Sequence, residues 1–352
     1  MTSLPTLGYS CWGFLGNGVV DTPDGGRSHR WVLLQALHKS GYELRLLQPN
    51  RDRLETGQDP STGWLSFHDG FPPLDALMFE YRWPIPGRNT GVSPDDPAYT
   101  PDLDRQKALL EHYVPLGIPV IIWDKDQQLP LKQQGLLAAP NVHLAEPALR
   151  PTPGRASLRF PANAARIAAA TTKLSTYASH DRPVDLVYIG NQYGRDGTFR
   201  EFIDATAGRL GVAAQIYGKW RPIDLVTGEP FTNCQWHGRV GYSQVDQLYS
   251  HAFATVLIAP ERYYDSDQYT QRLFEAAWNG CLPFVPSRYA SAARLFPQEL
   301  VVSSSAETAQ RIAGLRARPQ TAAALLKRVY QIISENFSPA DQAATIRQEL
   351  GQ

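Results

Sequence analysis

The sequence predicts an α/β protein built from two Rossmann-like domains that face each other across a cleft. Strand and helix patterns alternate along both halves of the chain, which is typical of parallel sheets. A chain of 352 residues is also long for a single hydrophobic core. Between about residues 147 and 183 a proline-rich stretch and an alanine-rich helix interrupt the alternation, which indicates a hinge.

The first half opens with the pattern of a βαβ unit. "TLGYSCWGFLGNG" predicts a strand that runs into a glycine-rich loop, "HRWVLLQALHKSG" a helix closed by Gly41, and "YELRLLQPN" the next strand. "LDALMFEYRW" predicts a third strand, "LDRQKALLEHYVPLG" a helix, and "IPVIIWDKD" a fourth strand that ends in acidic residues. We therefore assign residues 1–160 to an N-terminal domain.

The second half repeats the alternation from "VDLVYIGNQYG" onwards. Its clearest segment is "YTQRLFEAAWNGCLPFVPSRY", in which Arg272 and Glu275 lie three residues apart and share one face of a helical turn. Asn279-Gly280 is a good helix stop, and "CLPFVP" predicts a buried parallel strand. We assign residues 161–335 to a C-terminal domain, and expect a final helix in 336–352 to pack back towards the first domain.

Composition excludes several classes of protein. The 34 basic and 34 acidic residues balance, so the overall charge does not indicate a polyanionic partner, although a local basic groove stays open. The three cysteines form no CxxC pair, which argues against a disulfide framework or a zinc site and favours a reducing compartment. No apolar run has the length of a membrane span. We expect a monomer or weak dimer in the cytoplasm, the host cytoplasm if a phage encodes it.

Glycines and cations follow the predicted strands. In the first loop, Gly16, Asn17 and Gly18 would let the backbone approach a ligand, although "GFLGNG" is neither a dinucleotide fingerprint nor a Walker A loop, and an ordinary turn is the alternative. In the second half, Gly190 and Arg195 follow one strand, and Lys219 follows the next. Two cations beyond consecutive parallel strands could hold a diphosphate, the alternative being two solvated surface cations.

The run "APERYYDSDQYTQRLFEAAWNGCLPFV" resembles the GT-B glycosyltransferases, especially their retaining carboxylate-x7-Glu branch and the spore-maturation-type members. The resemblance implies that Glu275 binds the ribose of a sugar nucleotide, that Arg272 reaches the diphosphate, and that Asp267 holds sugar hydroxyls. The alternative for Arg272 and Glu275 is an ion pair one helical turn apart on the surface. "GRVGYSQVDQLYSHAFATVLI" is similar to the preceding loop, helix and strand of that family, where Val240 and Tyr242 would lie against the base. "DGGRSHRWVLLQALHKSGYELRLL" is similar to its first loop and helix.

This resemblance implies a glycosyltransferase that uses a nucleotide-diphosphate sugar, with a UDP-sugar favoured, and no separate cofactor. Two Asp-x-Asp runs, "DKD" at 124–126 and "DSD" at 265–267, could in principle hold a divalent cation. The two-domain organisation favours cations in place of a metal, so we expect no metal site. The first domain would lie on the acceptor side and the second would bind the donor.

The acceptor side is expected to come from loops of the first domain. Asp124, Asp126 and the His68–Asp69 pair are candidate catalytic bases, with loop capping and an ordinary turn as the alternatives. The segment "FEYRWPIPGRNTG" combines aromatic and charged groups that could stack a base and hold phosphates. Stacking on a sugar ring and packing within the loop itself are the alternatives. Its candidate acceptor residues are Glu80, Arg82, Trp83, Arg88 and Asn89.

We favour a hydroxymethyl pyrimidine in DNA as the acceptor, with a polysaccharide or a small molecule as the alternative. Two hypotheses from other classes stay open, a non-catalytic sugar-nucleotide or nucleic-acid binding protein and a sugar-nucleotide epimerase. The sequence leaves the sugar and the retaining or inverting outcome undecided.

Overall fold

The computed structural model describes residues 4–16 and 27–351, which form two compact units. Unit 1 comprises Met1–Gly16, Arg30–Arg159 and Pro339–Gln352, and unit 2 comprises Asn17–His29 and Phe160–Ser338. The boundaries expected from the sequence followed residues 160 and 335, against 159 and 338 in the structure. The assignment of residues 27–29, which the structure describes, to unit 2 was not anticipated.

Unit 1 is built on a seven-stranded parallel sheet in the order β3-β2-β1-β4-β5-β6-β7. Its strands are β1 (Thr6–Ser10), β2 (Glu43–Leu46), β3 (Leu65–Phe67), β4 (Ala76–Glu80), β5 (Val120–Trp123), β6 (Val142–Glu146) and β7 (Ala156–Ser157). The two central strands β4 and β5 are buried along their whole length, as expected for strands covered on both faces.

Three helices follow the strands of the first half, α1 (Arg27–Lys39), α2 (Arg51–Thr56) and α3 (Asp102–Tyr113). The first three residues of α1 group with unit 2 and the remainder with unit 1. One face of α3 packs on β4 and β5 in an apolar core that includes Phe79, Leu109, Tyr113 and Ile122. This packing fixes the carboxyl ends of β4 and β5.

Unit 2 is built on a six-stranded parallel sheet in the order β10-β9-β8-β11-β12-β13. Its strands are β8 (Val184–Ile189), β9 (Ala214–Tyr217), β10 (Cys234–Trp236), β11 (Ala252–Val256), β12 (Leu282–Pro286) and β13 (Val301–Val302).

Its helices are α4 (Ala164–Thr172), α5 (Asp196–Phe199), α6 (Ala205–Leu210), α7 (Tyr242–Ser250), α8 (Glu261–Ser266), α9 (Arg272–Trp278), α10 (Ala292–Leu295), α11 (Ser305–Arg316) and α12 (Pro319–Asn336). The chain then returns to unit 1 through α13 (Pro339–Glu349). Helices α7 and α9 pack on β8 through Val187, Val245, Tyr249 and Ala276. This contact places the first turn of α9 at the carboxyl end of β8.

Both sheets reverse their chain order beside their first strand, between β1 and β4 in unit 1 and between β8 and β11 in unit 2. Open parallel sheets bind ligands beyond the carboxyl ends of their strands at such a switch point. The fold class predicted from the sequence is therefore confirmed within each unit, and it indicates where to look for a site.

The sequence missed four strands, β3, β6, β7 and β10. Strands β3, β7 and β10 have only two or three residues, which is too short to show a period of two. Strand β6 has five residues, but only its last two are buried, so it shows no continuous apolar run. As a result, the segments predicted as the third and fourth strands are β4 and β5. All three cysteines are free, and two of them, Cys11 and Cys281, are buried. Among the described residues, no helix is both long and apolar enough to cross a membrane.

Gly218→Ala should destabilise the protein far more than Gly211→Ala. Both glycines have positive φ, 132° and 69°, so both substitutions incur backbone strain of about 1–2 kcal/mol. A Cβ on Gly218 would also lie 2.0 Å from the Gly190 carbonyl oxygen, whereas one on Gly211 meets nothing within 4 Å. In urea denaturation we expect Gly218→Ala to lose more than about 3 kcal/mol. Equal losses for the two variants would contradict the close approach of residues 190 and 218.

Candidate functional site

In unit 2, two glycines bring the ends of neighbouring strands unusually close. Gly190 N–H donates to the Tyr217 carbonyl at 2.9 Å, and Gly218 N–H donates to the Gly238 carbonyl at 2.7 Å. Gly190 also lies against the Arg272 side chain, where a Cβ would come within 3.0 Å of Nε. Gly190 is therefore required for the arginine to reach the end of β8.

Two cations follow these strand ends, as the sequence predicted. Arg195 precedes α5, and its guanidinium donates to the Asn191 carbonyl. Its side chain is buried, and its Nε has no hydrogen-bond partner among the described residues. Lys219 follows β9, and its backbone N–H donates to the Asn191 side chain at 2.8 Å. The loops that carry the two cations are thus joined through Asn191.

Arg272 occupies the first position of α9 and is held by neutral groups. Its Nε donates to the Ile189 carbonyl at 2.9 Å, and its NH1 donates to the Thr270 hydroxyl at 3.2 Å. Its guanidinium lies 5.2 Å from the centre of the Tyr188 ring. Arg272 forms no salt bridge within 4.0 Å with any described residue. A positive charge is therefore fixed at the end of β8 without direct neutralisation.

Glu275 lies one helical turn after Arg272 and is 7% exposed. Burial raises the pKa of its carboxyl to about 7, while a hydrogen bond from Ser28 and the charge of Arg272 act in the opposite direction. Asp246 on α7 raises the pKa further, although Arg166, Trp278 and Asn279 also contact that aspartate. The carboxyl of Glu275 therefore has a pKa near neutral pH. Its ionised form would accept hydrogen bonds from ligand hydroxyls.

The start of α7 lies beside Glu275. Val240 is half-buried, and Gly241 N–H donates to the Gln244 side chain at 3.2 Å, which closes the first turn. The hydroxyl of Tyr242 is hydrogen-bonded to Ser28, and the Arg27 guanidinium lies 6.0 Å from the centre of its ring. Sequence reasoning missed Ser28, because no local pattern links it to α7 or α9, which lie more than 200 residues further along the chain. We call Gly190, Arg195, Gly218, Lys219, Arg272 and Glu275 the unit 2 site.

Asp267 ends α8 in the left-handed conformation, with φ 54°. It is 1% exposed, and its carboxylate accepts the Ser291 N–H at 3.0 Å. Asp tolerates this conformation better than most residues, yet a non-glycine residue there is uncommon and often marks a functional segment. The role of Asp267 in holding sugar hydroxyls stays a prediction.

The glycine-rich loop of unit 1 was expected to approach a ligand with its backbone, and the structure shows two of its amides bonded within the unit. Asn17 and Gly18 lie outside the described residues. The N–H groups of Leu15 and Gly16 donate to the carboxylate of buried Asp52, at 2.9 and 2.8 Å. The Gly16 amide is therefore not available to a ligand, because a carboxylate from α2 already accepts it, and close approach of a ligand to this loop stays a prediction.

Glu80 is a core residue, and its predicted contact with an acceptor is corrected. Its side chain is fully buried. It accepts two hydrogen bonds from Arg30, at 2.7 Å each, and one from the Tyr9 hydroxyl at 2.7 Å. Lys125 lies 2.6 Å away and Arg82 lies 3.9 Å away. The sequence missed this network because Arg30 and Tyr9 lie 50 and 71 residues before Glu80.

The loop after β4 is held by Asn89, which is also corrected from acceptor contact to loop support. Its buried side chain bonds the Ile85 N–H, the Trp83 carbonyl and Asp102.

The other candidate acceptor residues of this loop are less buried. Arg88 bonds Thr100 and lies 3.6 Å from Asp102, yet its side chain remains 39% exposed. Arg82 donates to the Trp12 carbonyl at 2.7 Å, and Trp83 is half-buried. Arg82, Trp83 and Arg88 therefore retain partly exposed side chains on a supported loop.

Of the candidate bases, Asp124 is excluded by its burial. Its carboxylate accepts the N–H groups of Gln128 and Leu129 and lies 3.5 Å from Arg155, and its side chain is fully buried. Burial raises its pKa, against these hydrogen bonds. It caps the loop after β5, the alternative weighed above.

The other three candidate bases differ in exposure. His68 after β3 and Asp126 after β5 are half-buried, and Asp69 is exposed. No hydrogen bond joins His68 to Asp69, both of which the structure describes, so the expected base pair is not formed. Within residues 4–16 and 27–351 no group of three His, Cys, Asp or Glu side chains is arranged to hold a metal.

Comparison with known families points to one class for the second half of the chain. A family model described as Glycosyl transferase-like matches residues 195–348. This range includes Arg195, Lys219, Arg272 and Glu275. None of the curated protein sequences matches the chain.

Solved structures share the fold over nearly the whole chain. T4 phage beta-glucosyltransferase, in complex with UDP and Mn²⁺, superimposes with a TM-score of 0.65 at 12% identity, covering 99% of this chain and all of that one. An alpha-glucosyltransferase bound to UDP-glucose and DNA with an abasic site gives 0.63 at 11% identity, with full coverage of both chains.

A glycosyltransferase of avilamycin A biosynthesis gives a TM-score of 0.59 at 13% identity, covering 99% of this chain and 97% of that one. At these identities the likeness establishes the fold alone. The predicted GT-B architecture is confirmed.

Glu275→Gln should remove a pH dependence from the free energy of unfolding. The folded-state pKa of about 7 lies above the ordinary 4.5, so the folded protein binds more protons between these values and its stability falls as pH rises. The loss attributable to Glu275 between pH 5 and 8 is about 2–3 kcal/mol. Denaturation at both pH values should show a smaller loss in Glu275→Gln. Glu111→Gln, an exposed change on α3, should leave the loss unaltered; an identical loss in wild type and Glu275→Gln would contradict the raised pKa.

Glu80→Gln should destabilise unit 1 by about 3–5 kcal/mol, because it leaves the buried Arg30 without its partner charge. The matched control is Glu55→Gln in the Arg51–Glu55 pair, where the glutamate is 41% exposed and the expected loss is below about 1 kcal/mol. Urea denaturation measures both. If Glu80→Gln lost no more than the control, the buried network would not stabilise the fold as we describe.

Proposed function

We propose that the protein is a glycosyltransferase that moves a sugar from a nucleotide-diphosphate sugar, with UDP-glucose favoured, to the hydroxymethyl group of a pyrimidine in DNA. The observation that carries this proposal is the placement of Arg272 and Glu275 at the switch point of unit 2. The family model over residues 195–348 supports the reaction class. The DNA-modifying glucosyltransferases of similar fold support the donor and the acceptor.

In this proposal the unit 2 site holds the donor. Glu275 accepts hydrogen bonds from the ribose hydroxyls, and Val240 and Tyr242 lie against the base. Arg272 binds the diphosphate with Arg195 and Lys219, and Asp267 contributes to the sugar side. The diphosphate gains negative charge as the bond to the anomeric carbon breaks, so a cation fixed in advance stabilises the transition state more than the ground state.

The acceptor oxygen attacks the anomeric carbon and loses its proton to a base. His68, Asp69 and Asp126 remain the candidates for this role, and Arg82, Trp83 and Arg88 the candidates for acceptor contact. A pyrimidine in duplex DNA has to leave the stack to reach an enclosed active site, and arginine beside an aromatic ring suits such a base.

The carboxylate-x7-Glu pattern favours a retaining outcome. The similar folds include both a beta- and an alpha-glucosyltransferase, so the configuration of the product has to be measured directly.

A polysaccharide or small-molecule acceptor is the second candidate, and the likeness to the avilamycin glycosyltransferase favours it. A binding protein or an epimerase on the same fold would make different products. The binding protein would leave the donor intact, and the epimerase would convert it without any acceptor. One transfer assay therefore separates all four.

The decisive assay incubates the protein with radiolabelled UDP-glucose and duplex DNA that contains 5-hydroxymethylcytosine. We expect label in this DNA and none in matched DNA with unmodified cytosine, with the anomeric configuration of the product read by NMR. Release of glucose or transfer to a glycan, without labelled DNA, would show that DNA is not the acceptor. An intact donor under every condition would overturn the glycosyltransferase proposal.

Arg272→Lys should reduce kcat about 100-fold or more in this assay, because lysine cannot keep the bond to Ile189 and bind a phosphate with the same geometry. Arg328→Lys, an exposed change on α12, is the matched control and should leave kcat unchanged. Unaltered kcat in Arg272→Lys would remove Arg272 from the transition-state contacts.

A further inference from the structure

The first turn of α1 contributes three consecutive side chains to unit 2. Arg27 lies near the Tyr242 ring, and the ring of His29 packs at 4.8 Å from that of Phe160. His29 Nδ1 is also hydrogen-bonded to the Gln271 side chain at 2.7 Å. Because Gln271 directly precedes α9, these contacts hold the start of α1 against the start of α9. Residue 28 is thereby placed beside Glu275.

Ser28 is 5% exposed, and its hydroxyl is hydrogen-bonded both to the Glu275 carboxylate and to the Tyr242 hydroxyl. A serine hydroxyl has one proton to donate and two lone pairs to accept. It can therefore donate to the glutamate while it accepts from the tyrosine. Ser28 thus connects the carboxylate on α9 to the first residue of α7.

We propose that Ser28 is a positioning residue of the unit 2 site, whose hydroxyl fixes the Glu275 carboxylate so that it accepts the ribose hydroxyls of the donor. This inference rests on the proposed function of Glu275. An ionised carboxylate offers about four acceptor positions, so a bond from Ser28 leaves room for two ribose hydroxyls. Ser28 itself does not contact the reacting atoms.

The surroundings of Glu275 explain why a hydrogen bond from the uncharged Ser28 hydroxyl matters at this position. Burial and Asp246 favour the protonated acid, whereas Arg272, Arg166 and Ser28 favour the carboxylate. Tyr242 and Tyr249 on α7 are the remaining titratable groups that face it, and both stay neutral because burial raises their pKa. Losing the Ser28 hydroxyl would therefore shift Glu275 towards its protonated form, which accepts fewer hydrogen bonds.

The first test measures the pKa of Glu275 by carboxyl ¹³C NMR in the donor-free protein. We expect Ser28→Ala to raise this pKa by about one unit, the size expected for a hydrogen bond to a charged group. Ser28→Thr, which keeps the hydroxyl, should restore the wild-type value. Ser40→Ala is the matched control. Ser40 directly follows α1, and its hydroxyl donates to the Leu37 carbonyl instead of to Glu275. An unchanged pKa in Ser28→Ala would overturn the inference.

The second test measures the Kd for UDP-glucose against pH. If the pKa rises by one unit, Ser28→Ala should bind about fivefold more weakly than wild type at pH 7, and the two curves should converge by about pH 9. A loss of the same size at every pH would indicate a purely structural role, and tighter binding by Ser28→Ala would indicate competition with the ribose; either result overturns the proposal.

The two tests separate the inference from the proposed function. If Ser28→Ala shifts the pKa of Glu275 as expected but the wild type binds no nucleotide sugar, the proposed function of the unit 2 site is overturned. If the wild type binds UDP-glucose and the pKa does not respond to Ser28→Ala, the inference about Ser28 is wrong while the proposed function stands.

Discussion

The hydrogen bond from the Arg272 guanidinium to the Ile189 carbonyl is the contact on which the unit 2 site depends. Arg272 is half-buried, and a guanidinium removed from water is stable only if its donors find partners. Here the partners are a backbone carbonyl, a hydroxyl and the face of Tyr188. None of them carries a negative charge, so one contact anchors α9 to β8 and also keeps a cation at the strand end. Gly190 is part of the same arrangement, because a side chain there would displace the arginine.

The two units use the same strand topology for different electrostatic purposes. In unit 1 the last residue of β4 is the buried carboxylate of Glu80, and Arg30 and Lys125 bind it from within the same unit. The switch point of that sheet is thus occupied by an internal ion pair. In unit 2 the switch point receives a cation at the end of β8, the first strand of its sheet, and neutral groups hold it in place. Strand order alone therefore does not determine what a switch point binds; the charges delivered to it by helices do.

Local patterns in the sequence predicted much of this architecture. The alternation of strands and helices and the Asn279-Gly280 stop depend on residues close together in the chain. The same holds for the placement of Arg272 and Glu275 on one turn, and all three agree with the structure.

The errors arose where a side chain finds its partner far along the chain. The Asp52 carboxylate accepts a hydrogen bond from the Gly16 N–H, and the Glu80 carboxylate accepts one from Arg30. Ser28 reaches Glu275 across almost 250 residues. A single sequence shows that such polar groups exist, but which of them meet is decided by the tertiary fold.

The return of α13 to unit 1 has a consequence for the order in which the chain folds during synthesis. Its Gln342 side chain accepts the Arg159 N–H at 2.7 Å, and Arg347 donates to the Ser40 carbonyl at 3.2 Å. The ribosome supplies these residues only after the whole of Phe160–Ser338. Unit 2 can therefore assemble its sheet while unit 1 still lacks its last helix, although domains usually fold from the N-terminus. Expression of residues 1–159 alone would yield an unfinished domain. A circular permutant that links α13 to β1 would bring all parts of unit 1 together in the chain, interrupted only by the short segment before Arg30 that groups with unit 2.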